Sequence, residues 1–220
     1  MDKYDKIIIG SGIYGMYAAK RSLEKKNNEK VLHTAHRTTT SHSAWERLTS
    51  ILDKSGIAYN SLRAAGREMV EVSGGGRVDF RTRSSKGGLG EGFDLLIIDE
   101  AQEYTDDQES ALKYVVTDSK NPQTIFCGTP PTPVSSGTVF TNLRNKALNQ
   151  ETKNTGWAEW SVSEQTDPRN IESWYLTNPS LGTIFTERSV EDEIGSDEID
   201  FNIQRLGLWI KYNQKSAISE

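Results

Sequence analysis

The apolar positions of this chain fall into short unbroken runs separated by stretches with a helical repeat. Leu95 to Ile98 are apolar without alternation, which predicts a short strand buried on both faces, as in a parallel sheet. Tyr4–Ile9 and Val31–Ala35 also read as strands, and Gln123–Cys127 as another buried one. Between these runs, Ala44, Leu48, Ile51 and Leu52 fall on one face of a helix that Gly56 would end. Residues Asp106–Thr117 predict a second helix, with Thr105 placed to cap it and Asn121-Pro122 to break it. Met16–Lys26 is also helical in pattern, while Ile57–Leu62, Met69–Val72 and Val78–Thr82 read as short strands parted by glycines. After residue 150 the pattern weakens: Asp167-Pro168, Asn178-Pro179 and Gly182 punctuate loops, and helical spacing returns at Ser189–Ile194 and Ile199–Gly207. Strands alternating with helices predict an α/β fold with a mostly parallel central sheet and a site at the strands' C-terminal ends. The expected division is a sheet-bearing domain over 1–150 and a loop-rich, helical extension over 151–220.

Composition narrows this. The 220 residues suit one α/β domain with an appendage. Apolar residues make up 35% and the mean hydropathy is −0.63. No run approaches the ~20 apolar residues of a membrane span, and Ile7–Ile9 is too short for the apolar region of a signal peptide, so no membrane association is expected. Cys127 is the single cysteine, which excludes an internal disulfide and a cysteine-based zinc site and fits a reducing compartment. Net charge is −5 but unevenly spread: residues 1–90 hold 16 Lys and Arg against 9 Asp and Glu. That basic half suits phosphates; ordinary solvated surface charge explains the same count. His33, His36 and His42 straddle a strand and a loop without ligand spacing, so no metal site is expected from them. Trp157, Trp160, Trp174 and Trp209 read as packing residues of the extension in preference to base-stacking ones.

Candidate chemistry begins where the Leu95–Ile98 run meets Asp99 and Glu100. Neighbouring residues at a strand's end point in different directions, so two adjacent carboxylates can take two tasks. In an ATP hydrolase Asp99 would hold Mg²⁺ through water, and Glu100 would polarise the attacking water. A strand running into an acidic turn is the plainer explanation of the same residues. Arg81 and Arg83 alternate outward near the end of an earlier strand. The stretch Ser84–Gly92 is a glycine-rich loop able to cradle phosphate or to serve as plain linker. Thr129, after the Gln123–Cys127 strand, is placed to sense a γ-phosphate or the attacking water.

The first strand runs into Gly10-Ser11-Gly12-Ile13-Tyr14-Gly15 and then a helical stretch. A strand, glycine turn and helix favour a phosphate at the helix N-terminus. Residues 5–15 resemble the start of FAD-binding proteins of the UDP-galactopyranose mutase kind, which implies FAD as an alternative ligand and a flavin- or nicotinamide-dependent oxidoreductase as an alternative function. The acid that would bind the ribose is missing: His36 and Arg37 follow the second strand. Gly10 and Gly15 also have the spacing of a P-loop, but Met16 and Tyr17 stand where its Lys and Ser/Thr belong.

From residue 30 onward the ordered motifs resemble the ATPase part of the large terminase subunit of tailed phages. They are Val31-Leu-His-Thr-Ala-His-Arg-Thr, Ser43-Ala-Trp-Glu-Arg-Leu, Leu95-Leu-Ile-Ile-Asp-Glu-Ala-Gln-Glu, Cys127-Gly-Thr-Pro-Pro-Thr-Pro, Trp174-Tyr-Leu-Thr-Asn-Pro-Ser-Leu-Gly and Arg205-Leu-Gly-Leu-Trp. The resemblance implies a RecA-like, P-loop-type three-layer fold. It also implies an ATP-driven motor that packages double-stranded phage DNA into a procapsid in the host cytoplasm. The portal protein, the small terminase subunit and further copies in a ring would be its partners. Asp99 then matches the Walker B aspartate and Mg²⁺ ligand, Glu100 the catalytic carboxylate, and Gly128-Thr129 the coupling motif. Arg83 matches a phosphate-sensing or finger arginine, and Gly10, Gly12, Gly15 and Thr129 would line the nucleotide. The family continues into a nuclease domain beyond the motifs matched here. Loss of the P-loop Lys and hydroxyl leaves a third reading, a non-catalytic remnant that binds motor partners or DNA.

Overall fold

The computed structural model describes residues 28–64, 67–73, 75–83, 90–135, 137–195 and 197–210, together with the backbone of a strand at Lys6–Gly10. In chain order the strands are β1 (Lys6–Gly10), β2 (Lys30–Ala35), β3 (Tyr59–Leu62), β4 (Glu68–Val72), β5 (Arg77–Thr82), β6 (Leu95–Ile98), β7 (Gln123–Gly128) and β8 (Thr155–Trp157). The helices are α1 (Thr38–Lys54), α2 (Asp106–Leu112), α3 (Thr138–Leu148), α4 (Ile171–Thr177), α5 (Glu187–Glu191) and α6 (Glu198–Gln204), with a 3₁₀ turn at Ala101–Glu103. Among the described residues no helix is long and apolar enough to cross a membrane.

Among the described residues the eight strands form one sheet in the order β3-β4-β5-β2-β6-β7-β1-β8. From β5 to β8 every pairing is parallel; only β3–β4 and β4–β5 are antiparallel. The mostly parallel sheet expected from the apolar runs is therefore present, and β6, with all four residues buried, sits inside it. Strands buried on both faces need no alternation, and β2 and β6 show none.

Contacts divide the chain into two compact units, Met1–Gly128 with Ser136–Glu159, and Thr129–Ser135 with Trp160–Glu220. In the first, one core packs α1 on the sheet. Ala44, Leu48 and Leu52 meet Val31, Val70, Val78, Phe80, Leu95 and Ile97. The helix runs longer than Ala44–Leu52: it starts at Thr38, so the Thr38–Ser41 run lies inside it, and its N-cap is Arg37 without a side-chain cap. Helix α2 begins at the expected cap, where Thr105 and Gln108 form a reciprocal capping box. It stops at Leu112, short of Thr117, and residues 113–118 are turns. Helix α3 and strand β8 were not marked by the sequence pattern. Arg144 on α3 holds Glu159 with two hydrogen bonds of 2.7 and 2.8 Å, and Phe140 meets Trp157 at 5.7 Å between ring centres.

The second unit has its own small core of Val162, Trp174, Leu181, Val190, Phe201, Leu206 and Leu208. The Trp174 indole donates to the Pro168 carbonyl at 2.7 Å, so this tryptophan packs inside the unit. Asn202, fully buried, ties the unit together by accepting from the Thr166 amide and donating to the Thr166 and Glu198 carbonyls.

Candidate active site

Parallel pairing brings the C-terminal ends of β1, β7 and β6 to one edge of the sheet. Gly10 stands in register with Gly128, and Ile98 with Phe126. The acidic pair Asp99-Glu100 leaves β6 at that edge. This is where the strand order turns back on itself, since β1 lies at the far side of β7 while the next strand in the chain, β2, lies beyond β6. Crevices at such switch points are where open α/β sheets bind ligands.

Asp99 is tied down by its backbone. Its amide donates to the Thr34 carbonyl at 2.9 Å, and one carboxylate oxygen accepts from the Glu100 amide at 3.0 Å. The other, Oδ2, lies 3.4 Å from Nε2 of His33, a fully buried imidazole. That approach lacks hydrogen-bond alignment, and neither ring nitrogen of His33 has a hydrogen-bond partner among the described residues. Oδ2 therefore keeps lone pairs for another donor. This suits a carboxylate that accepts from the hydration shell of Mg²⁺.

Glu100 adopts a left-handed backbone, φ 52° and ψ 52°. For a residue with a Cβ this conformation costs about 1–3 kcal/mol and persists only where the surroundings enforce it. The carboxylate is held on the β2 side. The His36 amide donates to Oε2 and the Thr40 hydroxyl to Oε1, each at 3.2 Å. Thr40 is in the first turn of α1, which has neither a side-chain cap nor an acidic residue of its own. Glu100 supplies the negative charge that the helix N-terminus favours.

The Arg83 side chain turns inward, against the expectation that it alternates outward. The residue is 7% exposed. One guanidinium nitrogen donates to the Thr34 carbonyl at 3.1 Å and to the Asp99 carbonyl, the other to the Glu100 carbonyl at 3.0 Å. The guanidinium also lies 5.6 Å from the centre of the Tyr104 ring. Burial pushes the Arg83 guanidinium down to about 10, against the raising pull of Glu100, Tyr104 and Asp99, so it stays cationic at neutral pH. Burial raises the Tyr104 phenol. Because both terminal nitrogens already serve carbonyls, Arg83 lacks the free fork of a finger arginine, although its buried Nε has no hydrogen-bond partner among the described residues. Its neighbour Arg81 is likewise engaged, with Asp79 at 2.6 Å and Glu91 at 3.3 Å.

Gly128 packs against the residues after the acidic pair. A Cβ built there would stand 2.5 Å from the Gln102 side-chain oxygen and 3.0 Å from the Ala101 amide nitrogen. A Cβ here would oblige the Gln102 side chain to move and press on the backbone of the 3₁₀ turn. Thr129 belongs to the second unit, where its hydroxyl donates to the Gln204 side chain at 3.5 Å. Gly10 is at the sheet edge; Gly12 and Gly15, with Met16 and Tyr17, lie outside the described residues, as does Ser84–Leu89 of the glycine-rich loop. The sequence reading missed the hold of Thr40 and His36 on Glu100 and the packing of Gly128 on Gln102. No local pattern signals either, because each joins elements distant in the chain.

Several solved phage proteins share this architecture. The large terminase of bacteriophage HK97 superposes with a TM-score of 0.77 and 15% identity, covering 94% of this chain and 47% of its own. The large terminase of a thermophilic bacteriophage gives a TM-score of 0.65 at 16% identity over 95% of this chain and 49% of its own. The same thermophilic-phage protein in complex with ADP gives 0.66 at 16% identity. No family model and no curated protein matches. The chain spans about half the length of these structures, and at such identities the likeness is one of fold, a RecA-like α/β fold. The flavin reading fails on topology. A dinucleotide-binding sheet sets its second strand beside its first, whereas β6 and β7 separate β2 from β1 here.

Proposed function

We propose that this chain is the ATPase part of a large terminase of a tailed phage, coupling ATP hydrolysis to the packaging of double-stranded viral DNA. The observation that carries this reading is the strand order. It puts the Asp99-Glu100 turn one strand away from the glycine end of β1, on the sheet edge where a triphosphate would lie. The terminase fold, matched over 94% of the chain, supports the same reading. The thermophilic-phage relative binds ADP and ATP-γ-S in its solved complexes, which motivates ATP as the nucleotide here.

In this mechanism Asp99 would hold Mg²⁺ through water by its Oδ2, where the ion would supply positive charge beside the transferred phosphoryl group. Glu100 orients or deprotonates the attacking water. Gly10, Gly12 and Gly15 would lend backbone amides to phosphate. Thr129 is the proposed sensor of the γ-phosphate or of the attacking water. The portal protein, the small terminase subunit and further copies of this chain in a ring are the proposed partners, at the procapsid portal in the host cytoplasm.

Steady-state phosphate release from four proteins tests the reading. Glu100→Gln keeps size and hydrogen bonding but loses the charge. It should cut turnover by about 10²-fold, the scale of a lost general base, with ATP binding near that of the parent. Asp99→Asn should weaken Mg²⁺-dependent binding as well. Met16→Lys with Tyr17→Thr should raise turnover by restoring a phosphate-binding cation and a Mg²⁺-binding hydroxyl. Parent hydrolysis that Glu100→Gln leaves unchanged would refute the assignment. Zero turnover in all four, with normal folding, would favour the remnant reading, which the Met16 and Tyr17 pair motivates.

A further inference from the structure

Arg83 is the most deeply buried Lys or Arg among the described residues, and none of its bonds goes to a carboxylate. Its guanidinium meets three backbone carbonyls: Thr34 at the end of β2, then Asp99 and Glu100 in succession. Two successive carbonyls converge on one donor group only because Glu100 has left the extended and right-handed regions, at φ 52°. The Glu100 carbonyl also accepts from the Glu103 amide at 3.0 Å, but the Asp99 carbonyl has no backbone donor among the described residues, since the strand has ended. A buried carbonyl left unpaired is costly, so the turn at Asp99 needs a donor delivered from elsewhere. Arg83 arrives from the end of β5, anchored by its own amide on the Ala35 carbonyl at 3.0 Å and flanked by the Tyr104 ring. The planar fork can serve several carbonyls at once, which a lysine ammonium on a flexible stem does far less well.

We propose that Arg83 is a positioning residue for Glu100. It enforces the left-handed Asp99-Glu100 turn and thereby fixes where the Glu100 carboxylate stands, beside the His36 amide and the Thr40 hydroxyl. Without it the turn relaxes toward an ordinary backbone conformation and the carboxylate leaves its place. The proposal rests on the reading of Glu100 as the group that handles the attacking water, but its conformational half stands apart from catalysis.

Two measurements test it. The first needs no turnover. A glycine at position 100 tolerates positive φ and an alanine does not. With Arg83 present, Glu100→Gly should therefore melt above Glu100→Ala by roughly 2–4 °C. In an Arg83→Lys background that advantage should vanish, because the turn is no longer enforced. An advantage that persists unchanged without Arg83 would overturn the proposal, and so would its absence when Arg83 is present. The second measurement is kinetic. Arg83→Lys should lower kcat by about 10-fold or more, with the Kd for ATP within about 2-fold of the parent. In a Glu100→Gln background the same substitution should cost nothing further, since residues that act through one another are not additive. A loss that multiplies with Glu100→Gln, or that falls on ATP binding instead of kcat, would make Arg83 a phosphate ligand and refute the positioning role. A parent without any hydrolysis would sink the proposed function while the melting comparison still decides the role of Arg83.

Discussion

At the scale of single residues, the candidate site is built from backbone that ordinary side chains would disturb. Gly128 is one case. Its missing Cβ leaves room for the Gln102 side-chain oxygen, itself buried without a hydrogen-bond partner, and for the Ala101 amide. Gly128→Ala should cost about 1–3 kcal/mol, as overpacking of a close contact does. Thermal melting against Gly195→Ala checks this, because a Cβ at Gly195 meets nothing within 4 Å. Equal melting temperatures for the two variants would mean that the 3₁₀ turn gives way freely. Glycine at 128 was visible in the sequence as part of Cys127-Gly-Thr-Pro. The reason for it was not, because the atoms it avoids come from a turn far earlier in the chain, brought alongside by sheet pairing.

Elements in this fold are specified in different ways. Helix α1 could be read from its spacing, since Ala44, Leu48 and Leu52 do face the core. Leu48→Ala should destabilise the protein by about 2–5 kcal/mol in a denaturant titration, while Arg47→Ala on the solvent side should stay within about 0.5 kcal/mol. Matching losses would mean that the helix does not rely on that face. Strand β5 is held differently. Arg77 grips Asp79 with bonds of 2.6 and 2.9 Å, and Arg81 adds a third at 2.6 Å. Asp79 is 3% exposed, so its charge is desolvated and depends on those partners. Asp79→Asn should cost about 1–3 kcal/mol, less than a fully buried pair would, because both arginines keep partial contact with water. A neutral result by urea unfolding would show that the network serves specificity and not stability.

For the whole molecule, the two units carry separate apolar cores, one around Leu48 and Phe80 and one around Trp174. Trp174→Ala removes the largest member of the second core together with the indole bond to Pro168. The expected cost is about 3–5 kcal/mol, and it should fall locally. Hydrogen exchange should show protection lost over residues 160–210 and kept in β2, β6 and β7. Uniform loss over both units would mean that they unfold as one. Helix α3 and strand β8 extend the first unit to Glu159, in a stretch whose polar composition gave no strand signal. Thr155–Trp157 is an edge strand of three half-buried residues, and so short an element owes its form to pairing with β1 more than to its own side chains.

The sequence alone determined which segments would be buried strands and that an acidic pair closes one of them. Apolar runs bounded by turns carry that information locally, since burial on both faces removes alternation. It also showed, through ordered motifs, which fold to expect. The tertiary structure alone decided the order of strands, and with it that Gly10, Gly128 and the acidic turn share an edge; order is a property of long-range pairing. It decided that Arg83 points inward onto carbonyls, because a residue just past a strand's end no longer follows the pleat. It decided that Glu100 rests on a helix far earlier in the chain, because β2 and β6 pair in parallel and deliver the start of that helix to the same edge.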